Sequence, residues 1–328
     1  MIQTGIIGFG KMGRLRAAAI QAHAEGEIAA IHEIGPGIDT QGIPIVDSAE
    51  AIIEDPNIEA IFICTPNYLN KPLTIKGLQA GKHVFCEKPP AFNADEMKEV
   101  RQAEEASDRK LMYGFNHRHH ESIRRMREII QSGEFGDILW IRGRYGKSVD
   151  ETFFKDWRSK RKLAGGGILL DQGIHMLDLF LYLHGPFDEV KSFVSNLYWK
   201  TDIEDNVFAI FRDSRTGVAA QLHSTMTQWR HLFSLEIFLA QGHIVLNGLK
   251  TSSGTYGDEQ LSVSKNRSSA PAAIWENEER IVYHTDRSWD SEIAHFFEAI
   301  KHNKPIEIGN SQDALELMQM IDRIYEDG

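Results

Sequence analysis

The chain contains 328 residues, of which 42% are hydrophobic and 25% are charged, a composition typical of a globular protein long enough for two domains. Its formal net charge of -11 argues against a nucleic-acid partner, because binding phosphates requires an excess of Lys and Arg. No apolar stretch reaches the roughly 18 residues that a membrane-spanning helix needs, and residues 1–4 lack the features of a secretory signal. We therefore expect a soluble, cytoplasmic protein without a membrane partner.

In the first third of the chain, short apolar runs alternate with amphipathic segments. The apolar runs predict strands at 5–7, 28–31, 60–64, 83–86 and 111–113, and the amphipathic segments predict helices at 12–24, 69–80 and 94–107. Near-continuous apolar strands that alternate with helices are typical of a parallel sheet covered on both faces. Cys64 and Cys86 fall inside two of these strands, where we expect buried free thiols and no disulfide.

The pattern changes after about residue 116. We predict a helix at 121–131, a strand at 138–146 and a long helix at 166–183, followed by strands at 189–199, 206–212, 218–227, 233–239 and 243–246. Successive strands joined only by turns indicate an antiparallel sheet. Two further helices are predicted at 291–300 and 312–325. The sequence thus predicts an α/β domain over 1–118 and an α+β domain over 119–328.

The first predicted strand runs directly into a G-x-G-x-x-G pattern that opens the first helix. Its residues are Gly8, Phe9, Gly10, Lys11, Met12 and Gly13. In this context the three glycines serve a tight turn, the close approach of a pyrophosphate and close packing of helix on strand. Glu33 follows Gly13 at the spacing of the acid that binds the adenosine ribose, and its charge would repel a 2′-phosphate. We therefore predict a Rossmann domain that binds NAD rather than NADP; the alternative is a glycine-rich turn without a ligand.

Polar segments follow the third and fourth predicted strands. The first segment is Thr65, Pro66 and Asn67, and the second begins with Glu87 and Lys88. Ligands of open α/β sheets bind outside the carboxyl ends of the strands, so both segments are candidates for the nicotinamide end of the cofactor site. Lys88 is either an active-site ammonium group or a solvated loop lysine.

A glycine-led helix carries the best candidates for acid–base chemistry. Residues 165–167 are all glycine, and Asp171 and His175 follow four residues apart, on one face of the predicted helix. Asp178 is three residues further on and is a second candidate to brace the imidazole. An imidazole beside a carboxylate is a suitable general base near neutral pH, although a buried polar pair without a catalytic task is the alternative.

Other polar residues are candidates for contacting the substrate. They are Asn116, Arg118, Trp157, Arg158 and His223, with Trp229 and Arg230 as further pocket candidates. The basic segment 155–162 either binds an anionic substrate, such as a phosphorylated or nucleotide-linked sugar, or forms a solvated loop. His117, His119 and His120 lack accompanying cysteines or carboxylates at metal-ligand spacing, so we expect a surface cluster and no metal.

Together these motifs resemble those of the glucose-fructose oxidoreductase, inositol dehydrogenase and MocA (Gfo/Idh/MocA) family. The resemblance covers nearly the whole chain in the same order, through segments 8–13, 65–67, 81–84 leading into 87–89, and 165–175. It implies an N-terminal Rossmann domain that binds NAD(P), and a C-terminal α+β domain whose open antiparallel sheet forms the substrate site and the interface of a homodimer or homotetramer. Two positions depart from the pattern: Asn70 stands where a His is frequent, and Pro90 where a Leu is usual.

Carried over position by position, the resemblance implies catalytic roles for Lys88, Asp171 and His175. Members of the family oxidise or reduce hydroxyl and carbonyl groups of sugars, cyclitols and related small molecules. We expect His175 to exchange a proton with the substrate hydroxyl, Asp171 to orient His175, and Lys88 to stabilise charge on the reacting oxygen. The alternative is a non-catalytic NAD-binding regulator or scaffold of the same fold. The sequence leaves the identity of the sugar and the direction of the reaction open.

Overall fold

The structure of the protein is a computed structural model that describes residues 1–35, 37–265 and 274–328. The chain divides into two compact units. The first unit comprises Met1–Asn116, Lys162–Gly165 and Ser288–Met318, and the second comprises His117–Arg161, Gly166–Arg287 and Gln319–Gly328. Within the described residues, no helix has both the length and the apolar character that crossing a membrane requires.

Helices and strands are numbered in chain order. The strands are β1 (Ile2–Ile7), β2 (Gly26–His32), β3 (Ala60–Ile63), β4 (His83–Glu87), β5 (Leu111–Gly114), β6 (Ile138–Ser148), β7 (Glu189–Ser195), β8 (Asn206–Arg212), β9 (Ala219–Thr225), β10 (Thr227–Leu239), β11 (Gly242–Asn247), β12 (Glu259–Lys265) and β13 (Glu279–Tyr283). The α-helices are α1 (Lys11–Ala22), α2 (Ala49–Glu54), α3 (Asn70–Gln79), α4 (Ala94–Glu105), α5 (Glu121–Ser132), α6 (Arg161–Ala164), α7 (Ile174–Leu183), α8 (Ser288–Lys301) and α9 (Ser311–Asp327).

The first unit is built on a parallel sheet with the strand order β2-β1-β3-β4-β5 among its described residues. The chain leaves β1 toward β2 on one side and returns to β3 on the other, so the strand order reverses beside β1, where α/β proteins bind their ligands. This agrees with the doubly wound sheet that the alternating apolar runs predict.

Helix α8 belongs to this first unit, although it follows the predicted second domain in sequence. Phe296 and Phe297 of α8 are fully buried and pack with their rings edge-on to Phe62 of β3. Phe296 also contacts the ring of Phe85 on β4. The division of the chain therefore differs from the predicted boundary between 118 and 119, because these aromatic contacts join residues that lie more than 200 positions apart.

The second unit contains a sheet with the strand order β13-β12-β11-β10-β6-β9-β8-β7. All neighbouring pairs are antiparallel except β6 and β9, which run parallel. The sheet is thus mixed rather than purely antiparallel as predicted. The helical crossover from β6 through α7 leads to β7 at the edge of the sheet. The two antiparallel steps from β7 to β8 and from β8 to β9 then leave β9 parallel to β6.

Helix α7 lies on one face of this sheet. An added Cβ on Gly143 of β6 would meet Cγ of Met176 at 2.5 Å, so helix and strand are in direct contact there. The opposite face carries exposed apolar side chains, since Phe193 and Ile210 are 79% and 59% exposed. Phe193 lies directly across from Phe208 in the register of β7 and β8.

The predicted strand 189–199 ends early, at Ser195. Beyond it, the buried carboxylate of Asp205 accepts hydrogen bonds from the backbone N–H groups of Leu197, Tyr198 and Trp199, which turns the chain away from the sheet. Strands β12 and β13 were not predicted from the sequence.

Candidate active site

The glycine-rich turn after β1 has the geometry that a dinucleotide requires. Gly8 has a φ of +90°, and a Cβ added there would lie 2.6 Å from the carbonyl oxygen of Cys64. An added Cβ on Gly13 would collide with the carbonyl oxygen of Gly8. At Gly10, by contrast, an added Cβ would meet nothing within 4 Å. Two of the glycines thus serve the fold, and Gly10 leaves open space beside the backbone for a bulky group.

This open space lies at the N-terminus of α1. The N-cap of the helix is Gly10, which has no side chain to cap the backbone N–H groups of the first turn. The first turn holds Lys11 and Met12 and contains no acidic residue. The N–H groups at a helix N-terminus attract anions, and no carboxylate from the first turn of α1 competes for them. The residues of this turn therefore fit the pyrophosphate of NAD.

Glu33 lies just beyond the end of β2 and closes one side of the turn. Its Oε2 accepts a hydrogen bond from the N–H of Phe9 at 2.6 Å. Its Oε1 accepts hydrogen bonds from the N–H groups of Ile34 and Gly35 at 2.8 and 3.0 Å. Three backbone donors thus hold the carboxylate beside the turn, where it fits ribose hydroxyl groups and opposes a phosphate.

The two polar segments predicted for the nicotinamide end lie at the carboxyl ends of the adjacent strands β3 and β4. Asn67 donates a hydrogen bond to the carbonyl oxygen of Ala164 at 2.8 Å, and the Thr65 hydroxyl donates to the side-chain oxygen of Asn70 at 3.3 Å. The carboxylate of Glu87 accepts a hydrogen bond from the buried Arg16, so this side chain stabilises the interior of the first unit. Lys88 is half-buried, and its peptide bond with the following proline is cis.

In the second unit, the glycine-led segment continues into a turn of π-helix, Leu169–Gly173, and then into α7. The backbone N–H of Ile174 donates to the carbonyl oxygen of Leu169, five residues earlier. The buried carboxylate of Glu204 holds the start of this helix, since its Oε1 accepts from the N–H groups of Gly167 and Leu169 at 2.8 and 3.1 Å. The backbone at Gly167 is thus packed against another part of the chain, since an added Cβ there would collide with the carbonyl oxygen of Glu204.

The structure supplies Asp171 with a partner that the sequence analysis missed. Lys147 of β6 forms an ion pair with Oδ2 of Asp171, and its ammonium group lies 4.6 Å from the centre of the Phe153 ring. Lys147 shares its face of β6 with Gly143 and Tyr145, the face that packs against α7. Lys147 lies one residue beyond the predicted strand 138–146, so the alternation along that strand indicates its face only once the strand is extended to Ser148.

His175 is buried, and its ring stacks on that of His117 with centroids 3.9 Å apart and an interplanar angle of 15°. Nε2 of His117 shares a hydrogen bond of 3.0 Å with the hydroxyl group of Tyr145. Tyr256 lies beside Tyr145 and donates a hydrogen bond to Gln172 at 2.9 Å. Burial raises the pKa of both phenols, so they stay protonated near neutral pH. The rings of His117 and Tyr145 thus lie beside His175, with centroids 3.9 and 6.2 Å from that of its ring.

Arg118 and Asp178 form a buried, two-point ion pair. Arg118 donates from Nε to Oδ2 of Asp178 at 2.9 Å and from Nη2 to Oδ1 at 2.7 Å. Its guanidinium group also lies over the ring of Tyr182. Asp178 therefore binds Arg118, a role that the sequence analysis had not considered for either residue.

The remaining substrate candidates lie in different surroundings. Asn116 donates a hydrogen bond to the hydroxyl group of Ser288 in the first unit. Arg158 lies over the ring of Trp157 and pairs with Asp156 at 3.2 Å.

His223 is on the sheet face opposite α7. Its ring stacks on that of Phe208 with centroids 3.9 Å apart, and its Nε2 shares a hydrogen bond of 3.0 Å with Asn206. Asp171 and His175 thus lie on the side of the sheet that the helix covers, beside Lys147 and Tyr145 of β6, whereas His223 lies on the other side. Trp229, which is 93% exposed, has none of the burial expected of a pocket residue.

The histidine cluster after β5 is not at the surface, contrary to expectation. His117, His119 and His120 are only 4%, 3% and 2% exposed. Nδ1 of His120 lies 3.0 Å from a carboxylate oxygen of Glu259, on β12. In the part of the chain that the structure describes, no three His, Cys, Asp or Glu side chains come together as a metal ion would require.

Two family models match the chain. The model described as an oxidoreductase family with an NAD-binding Rossmann fold matches residues 2–115, and the GFO/IDH/MocA C-terminal domain model matches residues 123–245. The chain is 35% identical to levoglucosan dehydrogenase of Pseudarthrobacter phenanthrenivorans over 44% of this chain and 38% of that enzyme. It is 30% identical to 1,5-anhydro-D-fructose reductase of Ensifer adhaerens over 63% of this chain and 62% of that enzyme. The chain therefore spans less than two thirds of the length of either curated relative.

The fold is similar to that of a solved levoglucosan dehydrogenase in complex with NADH and levoglucosan. The TM-score is 0.86 at 24% sequence identity, and the match covers 99% of this chain and 96% of that one. At this identity, the similarity establishes the common fold.

Proposed function

Because the chain belongs to the Gfo/Idh/MocA oxidoreductase family, we propose that it is an NAD-dependent dehydrogenase acting on a hydroxyl or carbonyl carbon of a sugar, cyclitol or sugar derivative. One cluster of side chains in the second unit carries this proposal. In it, Asp171 forms an ion pair with Lys147, and the buried ring of His175, four residues further along the chain, stacks on that of His117. The names of the relatives support the substrate class, since they include dehydrogenases of levoglucosan and of D-glucosides.

The cofactor fits the first unit. The turn from Gly8 to Gly13 would hold the pyrophosphate, Glu33 would bind the adenosine ribose, and the segments at Thr65 and Glu87 would contact the nicotinamide end through their backbones. When bound, NAD supplies the hydride chemistry of the reaction. The backbone bonds that keep the Glu33 carboxylate in place support NAD over NADP.

Acid–base chemistry falls to three side chains. In the oxidative direction, His175 accepts the proton of the substrate hydroxyl group at one of its ring nitrogens. Asp171 orients His175, and the ion pair with Lys147 balances the charge of the Asp171 carboxylate. Lys88 donates a hydrogen bond to the reacting oxygen and stabilises its developing negative charge. Reduction uses the same groups in the reverse order.

An uncharged sugar suits the basic segment better than a phosphorylated one. Arg158 is paired with Asp156, and Arg161 donates to the carbonyl oxygen of Asp202 at 2.8 Å and lies 3.4 Å from Glu204. These guanidinium groups thus have acceptors within the chain. Asn116 and Trp157 stay candidates for contacting the substrate. His223 lies on the far face of the sheet and Arg118 is paired with the buried Asp178, so structural roles are favoured for both.

We also propose that the enzyme is a homodimer or homotetramer formed through the outer face of the second-unit sheet. Phe193, Phe208 and Ile210 form a continuous exposed apolar patch there, which is typical of a protein interface. Light scattering should give a multiple of the 37.2 kDa chain mass. A cytoplasmic location stays part of the proposal, supported by the free thiols of Cys64 and Cys86.

The test compares His175→Ala with His223→Ala, the same substitution on opposite faces of one sheet. NADH formation is followed at about 340 nm with a panel of neutral sugars, cyclitols and sugar phosphates. His175→Ala should lower turnover by about a hundredfold or more and leave the Kd for NADH within about twofold, whereas His223→Ala should stay near the wild-type rate. Unchanged turnover in His175→Ala would refute the assignment, and NADH binding without turnover on any panel member would favour a non-catalytic NAD-binding regulator.

A further inference from the structure

The side chain of Asn70 joins the two strand-end segments of the first unit. Asn70 is the first residue of α3 and is fully buried. Its Nδ2 donates one hydrogen bond to the carbonyl oxygen of Glu87 at 3.1 Å and another to that of Pro89 at 2.8 Å. Its Oδ1 accepts a hydrogen bond from the hydroxyl group of Thr65 at 3.3 Å. The two carbonyl groups that it holds belong to the residues immediately before and after Lys88.

The chemistry of the amide group explains why an Asn suits this position. Among uncharged side chains, only Asn and Gln carry two hydrogens on one nitrogen, so one Nδ2 can serve two carbonyl acceptors at once. A ring nitrogen of His carries at most one hydrogen and would hold only one of the two carbonyl groups. The Asn70 amide therefore fixes the backbone on both sides of Lys88 from a single atom.

A second attachment holds the side chain of Glu87. Its carboxylate accepts a hydrogen bond from Nε of Arg16 at 2.7 Å, and Nη1 of Arg16 donates to Glu292 at 2.5 Å. Arg16 is fully buried, and its guanidinium group lies over the rings of Phe85 and Trp289. Burial alone lowers the pKa of Arg16, but the two carboxylates outweigh this effect and raise it, so the guanidinium group stays charged.

We propose that Asn70 is a positioning residue for Lys88, assisted by the Arg16–Glu87 ion pair. Its amide sets the course of the backbone through Lys88, and with it the point from which the Lys88 side chain extends. Asn70 itself does not touch substrate, and its effect on turnover passes through Lys88. The inference rests on the proposed role of Lys88 in the reaction and adds the group that fixes its position.

The test is a double-mutant cycle of Asn70→Asp with Lys88→Met. Asp has the shape of Asn but replaces the donating nitrogen with an oxygen that repels both carbonyl groups. Turnover is expressed per NADH-binding site, so that unfolded molecules do not count. With Lys88 present, Asn70→Asp should lower kcat by about tenfold to a hundredfold and leave the Kd for NADH within about twofold. In the Lys88→Met background, it should change kcat by less than about twofold, because the group that it positions is absent.

Two further variants complete the design. Asn57→Asp makes the same chemical change at an exposed position of this unit and should leave kcat unchanged in both backgrounds. Should Asn70→Asp fail to bind NADH, Asn70→His, which keeps one donor, enters the same cycle with a smaller expected loss. Amide hydrogen exchange of the peptide spanning residues 86–92 gives a readout independent of turnover and should become faster in either Asn70 variant.

The outcomes separate this inference from the proposed function. Wild-type turnover in Lys88→Met would refute the role of Lys88 in the reaction. A loss of turnover in Lys88→Met together with full turnover in Asn70→Asp would refute only the positioning role. An equal loss from Asn70→Asp with and without Lys88 would also overturn the inference, because it would show a general structural effect.

Discussion

Replacing Glu33 tests the cofactor site without any knowledge of the substrate. Three backbone N–H groups, those of Phe9, Ile34 and Gly35, donate to its two carboxylate oxygens. In Glu33→Gln one oxygen becomes an NH₂ group, which cannot accept from the donors on its side. The variant thus loses the negative charge and also loses the acceptor on one edge of the side chain.

The size of the effect follows from the bonds involved. A hydrogen bond to a charged group contributes about 1.5–3 kcal/mol, so losing the charge beneath the ribose should weaken NADH binding by about tenfold to a hundredfold. The variant also removes the repulsion of a 2′-phosphate, which for each pair of unit charges at about 4 Å amounts to between about 1 and 4 kcal/mol. The preference for NADH over NADPH should therefore fall by at least about fiftyfold.

The assay is a fluorescence titration with NADH and with NADPH at about 0.15 M ionic strength. Glu27→Gln is the matched control, because it removes the same charge from an exposed position on β2, the strand that Glu33 follows. The control should bind both cofactors as the wild type does. A ratio of the two Kd values in Glu33→Gln that stays within about twofold of the wild-type ratio would refute the placement of Glu33 at the ribose.

Two further predictions concern the glycine-rich turn and the pH dependence of stability. In Gly10→Ala the added Cβ enters open space, so the free energy of unfolding should stay at the wild-type value while the affinity for NADH falls by at least about tenfold. In Gly13→Ala the added Cβ collides with Gly8, so the free energy of unfolding should fall by about 1–3 kcal/mol. Urea unfolding and NADH titration of both variants separate the two roles, and equal effects on both quantities would contradict them. Burial lowers the pKa of His83 from 6.5 to about 4. Between these pH values the unfolded chain binds more protons than the folded one, so the free energy of unfolding should fall by at most about 3 kcal/mol as the pH drops from 6.5 to about 4. Urea unfolding between pH 4 and 8 should show a shallower pH dependence in His83→Gln, and identical slopes would exclude this contribution.

Two ion pairs balance the charges of the carboxylates around the helix that carries His175. Arg118 and Asp178 neutralise each other in a buried pair, and Lys147 neutralises Asp171 beside the helix that carries His175. Buried charges are costly unless they are paired, so each carboxylate near His175 has its own cation. The proposed proton exchange at His175 would thus take place beside carboxylates whose charge is already balanced.

Local patterns in the sequence were enough for the cofactor-binding half of the molecule. A tight turn, a helix N-terminus and an acid at the end of the second strand are all set by residues close along the chain, so the glycine spacing and Glu33 indicated the Rossmann turn. The apolar runs indicated the parallel sheet, because strands buried on both faces must be apolar along their whole length. The helical segment at 166–183 was likewise indicated by a local pattern, although the structure divides it into a turn of π-helix that holds Asp171 and the helix α7 that holds His175.

Tertiary structure alone decided which distant residues serve these elements. Lys147 reaches Asp171 because β6 lies against α7, and α8 joins the first unit because Phe296 and Phe297 find apolar partners there. Alternation along β9 puts His223 and its neighbours on opposite faces of the sheet. Which of the two faces is buried depends on the side that α7 covers, and His223 lies on the other side. Such contacts depend on how elements far apart in the chain pack together, so no local pattern could predict them.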